Sequence, residues 1–379
     1  MASDLFHPYI FGGGERQMYE VARRLAKKHE VHVITRKLGK SANYEKHQGI
    51  HIHRIRAPSK GIALESLING IFFMMGAFLK GIRFGKFDVY APQQFFPIPP
   101  LWLTSRIKGK PIVMVIHDVY RDVWLQKYRV KGHLMALFEK AILRLPSAKI
   151  ITVSNSTREK LLANGIPENV IKIIPNGVNV DEYDKIKVRK SSKPRITYLG
   201  RLFWSKNIDD LIVAFSKLDF DAELFIIGEG PEMENLKNLA EKLGLKNRIT
   251  FTGYVDDKKK VEILKSSWVL VLPSSTEGFG IAVIEAWASR TAVIVSNISA
   301  LHELVEDGKT GLLFKLRDTN MLRNKLEQVV KDKHLRSKLS ERGYELVKEK
   351  FTWDKVAVEV ERYMGHFIKL LPSFWGDVV

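Results

Sequence analysis

Short apolar runs alternate with amphipathic stretches along the whole chain, and this alternation constrains the fold more than any single motif. In the first half, Val31–Thr35, His51–Ile55, Asp88–Ala91, Ile112–Ile116, Lys149–Val153 and Val170–Ile174 predict strands. Between them, Gln17–Lys28, Leu64–Phe84, Lys131–Leu143 and Ser156–Asn164 predict helices. The second half repeats the pattern, with strands predicted at Arg195–Leu199, Ala222–Ile227, Ile249–Thr252, Trp268–Leu272, Ala292–Val295 and Gly311–Phe314. Strands that alternate with helices form parallel sheets with helices on both faces. Two such sets in series predict an α/β chain of two Rossmann-like domains facing across a cleft. The 379 residues suffice for two domains of ordinary size. Composition places an N-terminal domain at 1–178, a polar linker at 179–194, a C-terminal domain at 195–350 and a final helical segment at 351–379.

In open α/β sheets, ligands bind beyond the carboxyl ends of the strands. The most informative such end follows Trp268–Leu272, where the chain reads Pro273-Ser-Ser-Thr-Glu-Gly-Phe-Gly-Ile-Ala-Val-Ile-Glu285. A strand, a glycine turn through Gly278 and Gly280, and a helix start make an anion site, because free N–H groups point outward there. Glu277 and Glu285 add hydrogen-bond acceptors for hydroxyl groups. A ligand with both phosphates and sugar hydroxyls, a nucleotide-sugar, fits that pairing. After Arg195–Leu199 come Gly200-Arg201 and Lys206-Asn207, in which Arg201 and Lys206 suit a diphosphate: a planar fork and a point charge. Gly228-Glu-Gly230-Pro231 and Thr252-Gly253-Tyr254-Val255 end two further strands, and Gly12-Gly13-Gly14 precedes the first helix. His117 ends Ile112–Ile116, beside Asp118, which is a candidate to orient it.

Other chemistries find little support. The absence of cysteine excludes disulfides, thiolate nucleophiles and Cys-ligated metals, and suits a reducing cytoplasm. No Asp-x-Asp follows a strand and no His-Glu-x-x-His occurs, so no metal site is expected; His51 and His53, alternating on one strand, read as solvated. Met1–Ile10 lacks a secretory pattern, and no stretch approaches the ~20 apolar residues of a membrane span. Charge is uneven: residues 1–180 hold 28 Lys and Arg against 12 Asp and Glu, whereas residues 181–379 hold 33 against 30. A basic half suggests an anionic partner, such as a membrane surface or a lipid phosphate. Ile71–Leu79 is apolar and flanked by Lys80, Arg83 and Lys86; Arg121–His133 mixes Trp124 and Tyr128 with Lys127, Arg129 and Lys131; Phe374 and Trp375 lie in the tail. Peripheral contact with anionic lipid follows from these, although core packing is the expected role of Leu64–Phe84. Nucleic acid is not an expected partner, because no helix-turn-helix, zinc site or RNA-recognition motif is present.

The Pro-Ser-x-x-Glu-Gly-Phe-Gly context, with seven residues between Glu277 and Glu285, resembles the retaining glycosyltransferases of family 4, which have the GT-B fold. The resemblance spans about residues 3–365 and is strongest over 196–285. It implies transfer of a sugar from a UDP- or GDP-sugar to an acceptor glycan or lipid, with retention at the anomeric carbon, in cell-envelope glycan synthesis. It further implies catalytic roles for Glu277, His117, Arg201 and Lys206. Binding roles are implied for Gly13, Gly14, Gly228, Gly253, Tyr254, Val255, Gly278, Phe279, Gly280 and Glu285. No cofactor is required, with Mg²⁺ an option on the donor diphosphate. A final helix is expected to cross back onto the first domain. Relatives begin with an apolar strand, of which only Met1 and Ala2 stand here, so the first strand reads as truncated: either two sheet edges are left open or a short remnant suffices. The alternatives are a catalytically degenerate nucleotide-sugar-binding relative, a sugar-nucleotide epimerase or phosphorylase of shared fold, and a basic nucleic-acid-binding protein. The sugar, base, acceptor and oligomeric state leave no mark in the sequence.

Overall fold

The structure, a computed structural model, describes residues 1–56, 67–85, 87–127, 129–146 and 149–374. The chain divides into two compact units: Met1–Pro175 with Asp354–Val379, and Asn176–Trp353.

The first unit carries strands β1 (Val31–Arg36), β2 (Tyr44–His47), β3 (Ile50–Ile55), β4 (Val113–Ile116), β5 (Lys149–Thr152) and β6 (Ile171–Ile173). One sheet runs β1-β3-β2 and another β4-β5-β6. All pairs are parallel except β2–β3, an antiparallel edge that the sequence did not predict. The space between β1 and β4 is filled by single bridges. Ala2 bridges Ile34 on one side and Pro92 on the other, while Tyr90 and Gln93 bridge Ile112 and Val115. The Ser3 amide donates to Ile34 O at 3.1 Å, Ile34 N to Met1 O at 3.0 Å, and Gln93 N to Ala2 O at 2.8 Å. Of the two alternatives, open edges or a short stretch that suffices, the second is observed: residues 1–3, with Ala2 wholly buried, bond to the backbone on both sides. The expected strand Asp88–Ala91 is reduced to the bridges at Tyr90 and Gln93.

The predicted helix Leu64–Phe84 is observed as Leu67–Arg83, residues 64–66 lying outside the described part. It is two-sided. Phe73 and Ala77 enter the core with Ile55, Phe96 and Ile98, while Ile71, Phe72, Met75 and Leu79 are half exposed or more. The final helix, Trp353–Phe374, belongs to the first unit from Asp354 on. Arg24 Nε donates to Asp354 Oδ1 at 2.7 Å, His29 meets Glu361 at 2.8 Å, and Tyr363 Oη donates to Val170 O at 3.4 Å.

The second unit holds β7 (Arg195–Leu199), β8 (Glu223–Ile227), β9 (Ile249–Gly253), β10 (Val269–Leu272), β11 (Ala292–Ser296) and β12 (Leu312–Phe314). They form one parallel sheet in the order β12-β11-β10-β7-β8-β9. From β7 the chain builds outward in one direction and then restarts at β10 in the other. That reversal is a topological switch point, and it makes neighbours of the loops after β7 and β10. β10 and β11 are buried throughout, as all-apolar parallel strands covered on both faces must be.

Segment 179–194, expected as a linker, is a structured part of the second unit. It contains the helix Val180–Lys185. Lys190 is drawn into the body of the unit, donating to Ser267 O at 2.6 Å and Thr291 Oγ1 at 2.9 Å, and burial lowers its ammonium to about 7. Trp268 Nε1 donates to Ser191 O at 2.9 Å. Polar composition misleads here because each of these polar groups has a fixed partner.

Candidate functional site

The loops at the switch point are stitched together before any side chain reaches a ligand. Ser275 N donates to Ser205 O at 2.8 Å, and Asn207 Nδ2 donates to Pro273 O at 3.1 Å. Asn207, in the left-handed region at φ 47°, turns the chain from a short 3-10 turn into the helix Ile208–Ser216. That turn presents Lys206, whose Nζ donates to Glu277 Oε1 at 2.6 Å and to Thr276 O at 3.2 Å. Ser274 Oγ donates to the same carboxylate oxygen at 2.7 Å, so Glu277 is held from two sides. Both partners of the ion pair keep 15–20% of their side chains exposed. They are therefore reachable by a ligand yet shielded enough to feel each other strongly.

The structure brings Arg201 to the same place. Tyr198 is buried in β7 and its hydroxyl donates to Arg201 O at 3.0 Å. Burial, reinforced by the Glu277 carboxylate and opposed by Arg201, pushes the Tyr198 phenol far above its ordinary range. Both charges thus bear on one buried hydroxyl. The Arg201 side chain itself is exposed, its guanidinium lying 5.5 Å from the Phe203 ring centre.

Gly278, Phe279 and Gly280 lead into the helix Ile281–Ala288, whose start no side chain caps. Phe279 does not offer its ring to a ligand: it is buried, edge-on to Phe351 at 5.7 Å. Glu285 is also less free than the sequence suggests. Its Oε1 accepts from Lys260 Nζ at 2.6 Å and from Tyr183 Oη at 3.2 Å. Gly228 and Gly253 pair across the ends of β8 and β9, Gly228 N donating to Gly253 O at 3.0 Å. Glu229 Oε1 accepts from Tyr254 N at 3.3 Å; Tyr254 is exposed and Val255 half-buried.

The first unit contributes a second group of residues. Its first helix, Gly13–Leu25, begins without a side-chain cap. A side chain at Gly14 would place its Cβ 3.0 Å from His117 Cδ2 and 3.1 Å from Nε2, so the bare backbone makes room for the imidazole. His117 Nε2 lies 2.5 Å from Gln93 Nε2, and Gln93 is itself 3.4 Å from Gln17 Oε1. Burial lowers the imidazole to about 4. At neutral pH it is an uncharged hydrogen-bonding group. Asp118 does not orient it: Asp118 Oδ1 instead accepts from Lys160 Nζ at 2.6 Å and Val119 N at 2.8 Å, and the amide of Gln93 takes that place. Ser154 caps the helix Asn155–Ala163 through Thr157 N.

Sequence reasoning missed Ser274, Tyr183, Lys260, Gln93 and Gln17. Ser274 was legible, because it lies inside the quoted motif. The others carry no local signal. Lys260 sits in the run Asp256-Asp-Lys-Lys-Lys260, which reads as a solvated helix start.

Comparison with known proteins adds the family. Residues 11–182 match the family model described as Glycosyltransferase Family 4, and residues 179–346 match the one described as Glycosyl transferases group 1. An uncharacterized glycosyltransferase of Methanocaldococcus jannaschii is 28% identical over 384 residues, covering 93% of this chain and 94% of the relative. The phosphatidyl-myo-inositol mannosyltransferase of Mycobacterium leprae is 29% identical, covering 73% of each chain. Among solved structures, Anabaena HepE in complex with UDP-glucose superposes with a TM-score of 0.78 at 16% identity, covering 96% of this chain and 98% of that one.

Proposed function

Because the chain belongs to the group 1 and family 4 glycosyltransferases with the GT-B fold, we propose that it moves a sugar from a nucleoside-diphosphate donor to an anionic lipid acceptor, with retention. The observation that carries the donor half is the Lys206–Glu277 pair, 2.6 Å apart beside an uncapped helix start at the sheet's switch point. Lys206 and Arg201 neutralise the departing diphosphate, where negative charge grows in the transition state. Glu277 accepts hydrogen bonds from sugar hydroxyls next to the reacting carbon. Glu285 takes the ribose hydroxyls through Oε2, its other oxygen being held by Lys260 and Tyr183. Gly253, Tyr254 and Val255 meet the base through their main chain. On the first unit, neutral His117 with Gly13 and Gly14 offers hydrogen-bonding groups to a substrate. The leaving phosphate itself takes the acceptor proton on the face it vacates, which accounts for retention without a protein nucleophile. Any Mg²⁺ rides on the diphosphate rather than in a protein cage. UDP is the favoured nucleotide, in line with the HepE complex.

The acceptor half rests on the first unit. Ile71, Phe72, Met75 and Leu79 are exposed on one helix, and Val130, Leu134 and Leu137 on another. Beside the first stripe, Arg56, Lys80 and Arg83 line a groove of about 300 Å³, whose fourth basic residue, Arg54, is buried and paired to Glu45. Apolar side chains flanked by a basic groove suit a lipid surface with anionic headgroups, each basic residue near it being worth ~1 kcal/mol. The mycobacterial relative is named for such an acceptor. Lys86 and Tyr128, part of the expected basic-aromatic surface, lie outside the described residues, as does Trp375. No described helix is long and apolar enough to cross a membrane. Peripheral docking on the cytoplasmic face follows from this reading.

Sedimentation with vesicles of zwitterionic lipid, with and without anionic phospholipid, tests it, with diphosphate release from UDP- and GDP-sugars followed on both. The expected result is binding and release on anionic vesicles, both weakened by salt. Equal binding to both vesicle types, or to neither, refutes the surface reading. Absence of release on every vesicle counts against transfer.

A further inference from the structure

We propose that Glu30, His32 and His51 form a binding site on the first unit for a divalent transition-metal ion of the Zn²⁺, Co²⁺ or Ni²⁺ class. The site follows from strand register. β1 and β3 pair in parallel with His32 opposite His51 and Ile34 opposite His53. Alternation along β3 puts His51 and His53 on one face, and the register adds His32 to it. His51 and His53 are therefore not the solvated pair that their spacing alone suggests: His53 is buried, and the His32 and His51 rings stack at 4.7 Å. One ligand atom each from Glu30, His32 and His51 lies within 4.8 Å of the others. Tetrahedral metal bonds of about 2.0–2.1 Å put ligand atoms about 3.3 Å apart, so small side-chain rotations close the set.

The outer contacts point the same way. A metal-bound imidazole usually engages its second nitrogen with a protein group, which fixes the ring and the tautomer. Both histidines do so here. His32 Nδ1 lies 3.0 Å from His53 Nε2, leaving Nε2, which faces Glu30 Oε1 at 2.8 Å. His51 Nδ1 lies 2.9 Å from Tyr44 Oη, leaving its own Nε2. Phe84 and Phe87 cover the inner side, their rings 4.1 Å from His53 and 4.9 Å from His32. Glu30 is exposed, which leaves a position for water. Imidazole with carboxylate selects this group of metals over Mg²⁺ or Ca²⁺. His32 and His51 are the second residues of β1 and β3, at the amino ends of the strands. Ligands of an open α/β sheet react at the carboxyl ends. The ion is therefore structural, tying β1 to β3, and takes no part in transfer.

Calorimetric titration of the untagged protein with ZnCl₂ alone tests the site, with thermal melts and Co²⁺ visible spectra beside it. One ion per chain is expected, with a raised Tm and the absorption of a four-coordinate Co²⁺ site. His51→Ala and Glu30→Gln should each weaken binding about tenfold or more and cancel the Tm shift. His47→Ala should leave both intact. Glu30→Gln, at an exposed position, keeps the test open if a histidine variant fails to fold. No binding by the unaltered protein, or binding unchanged in both Glu30→Gln and His51→Ala, overturns the proposal.

Discussion

Lys206→Ala lowers turnover by about a hundredfold or more, and Glu277→Gln by at least about tenfold, with smaller changes in donor KM. The scale is that of removing one preorganised group from developing transition-state charge, about 10²–10³ in rate. In the proposed reaction Lys206 supplies positive charge where the diphosphate leaves, and its Nζ also ties the Thr276 carbonyl to the turn. Glu277→Gln keeps the shape of the side chain but loses the charge that Lys206 holds at 2.6 Å and Ser274 at 2.7 Å. Residues that share one hydrogen-bond cluster do not act independently. The double variant should therefore fall short of the product of the two single effects. Steady-state kinetics on protein with an unchanged melting profile provides the measurement. Near-normal turnover in both variants removes these roles.

Gly228→Ala disables the second unit through its backbone rather than its charges. Gly228 sits at φ 131°, a conformation that other residues rarely adopt. A Cβ there would stand 2.0 Å from the Gly200 carbonyl oxygen, and that oxygen belongs to backbone with no side-chain freedom to yield. Relief requires the ends of β7 and β8 to part, breaking the bond from Gly200 N to Ile227 O at 3.0 Å and pushing Gly228 against its β9 partner Gly253, whose carbonyl accepts from Gly228 N at 3.0 Å. Strain of this kind costs about 1–3 kcal/mol before the overlap is counted. A loss of at least ~3 kcal/mol is expected, with nucleotide binding abolished. Chemical denaturation reads the first and titration the second. A variant with unchanged stability and binding would show that the two loops are not packed as described.

The parallel sheets and the loops at the switch point were legible because their signals are local. All-apolar runs such as Val269–Leu272 and Ala292–Val295 fit buried parallel strands, and the turn from Pro273 to Gly280 carries its own glycines and carboxylate. What escaped either lacks a recognisable local signal or depends on pairing between distant segments. β2 is polar, with its residues alternating exposed and half-buried, and a two-residue turn through Gln48 and Gly49, both at positive φ, holds it to β3. Gln-Gly is not the Asn-Gly or Asp-Gly signal of such turns. The role of Ala2 as a bridge depends on Ile34 and Pro92, far along the chain. The engagement of Glu285 by Lys260 depends on a helix packed across from it. The linker reading failed for the same reason, since Lys190 is polar in composition but finds fixed acceptors in Ser267 and Thr291. Long-range partners satisfy Ala2, Glu285 and Lys190, and no short window of sequence contains both members of those pairs.

The central claim is that the switch point of the second unit holds a nucleoside diphosphate between Lys206, Arg201 and the helix at Ile281. A thermal-shift scan of the unaltered protein and of Lys206→Ala with UDP, GDP, ADP, dTDP and CMP tests it most directly. A ligand at a hundred times its Kd stabilises the folded state by ~2.7 kcal/mol. The account predicts a clear rise with one diphosphate, UDP first among them, that Lys206→Ala largely removes. No rise with any nucleotide on folded protein, or a rise undiminished in Lys206→Ala, would contradict it.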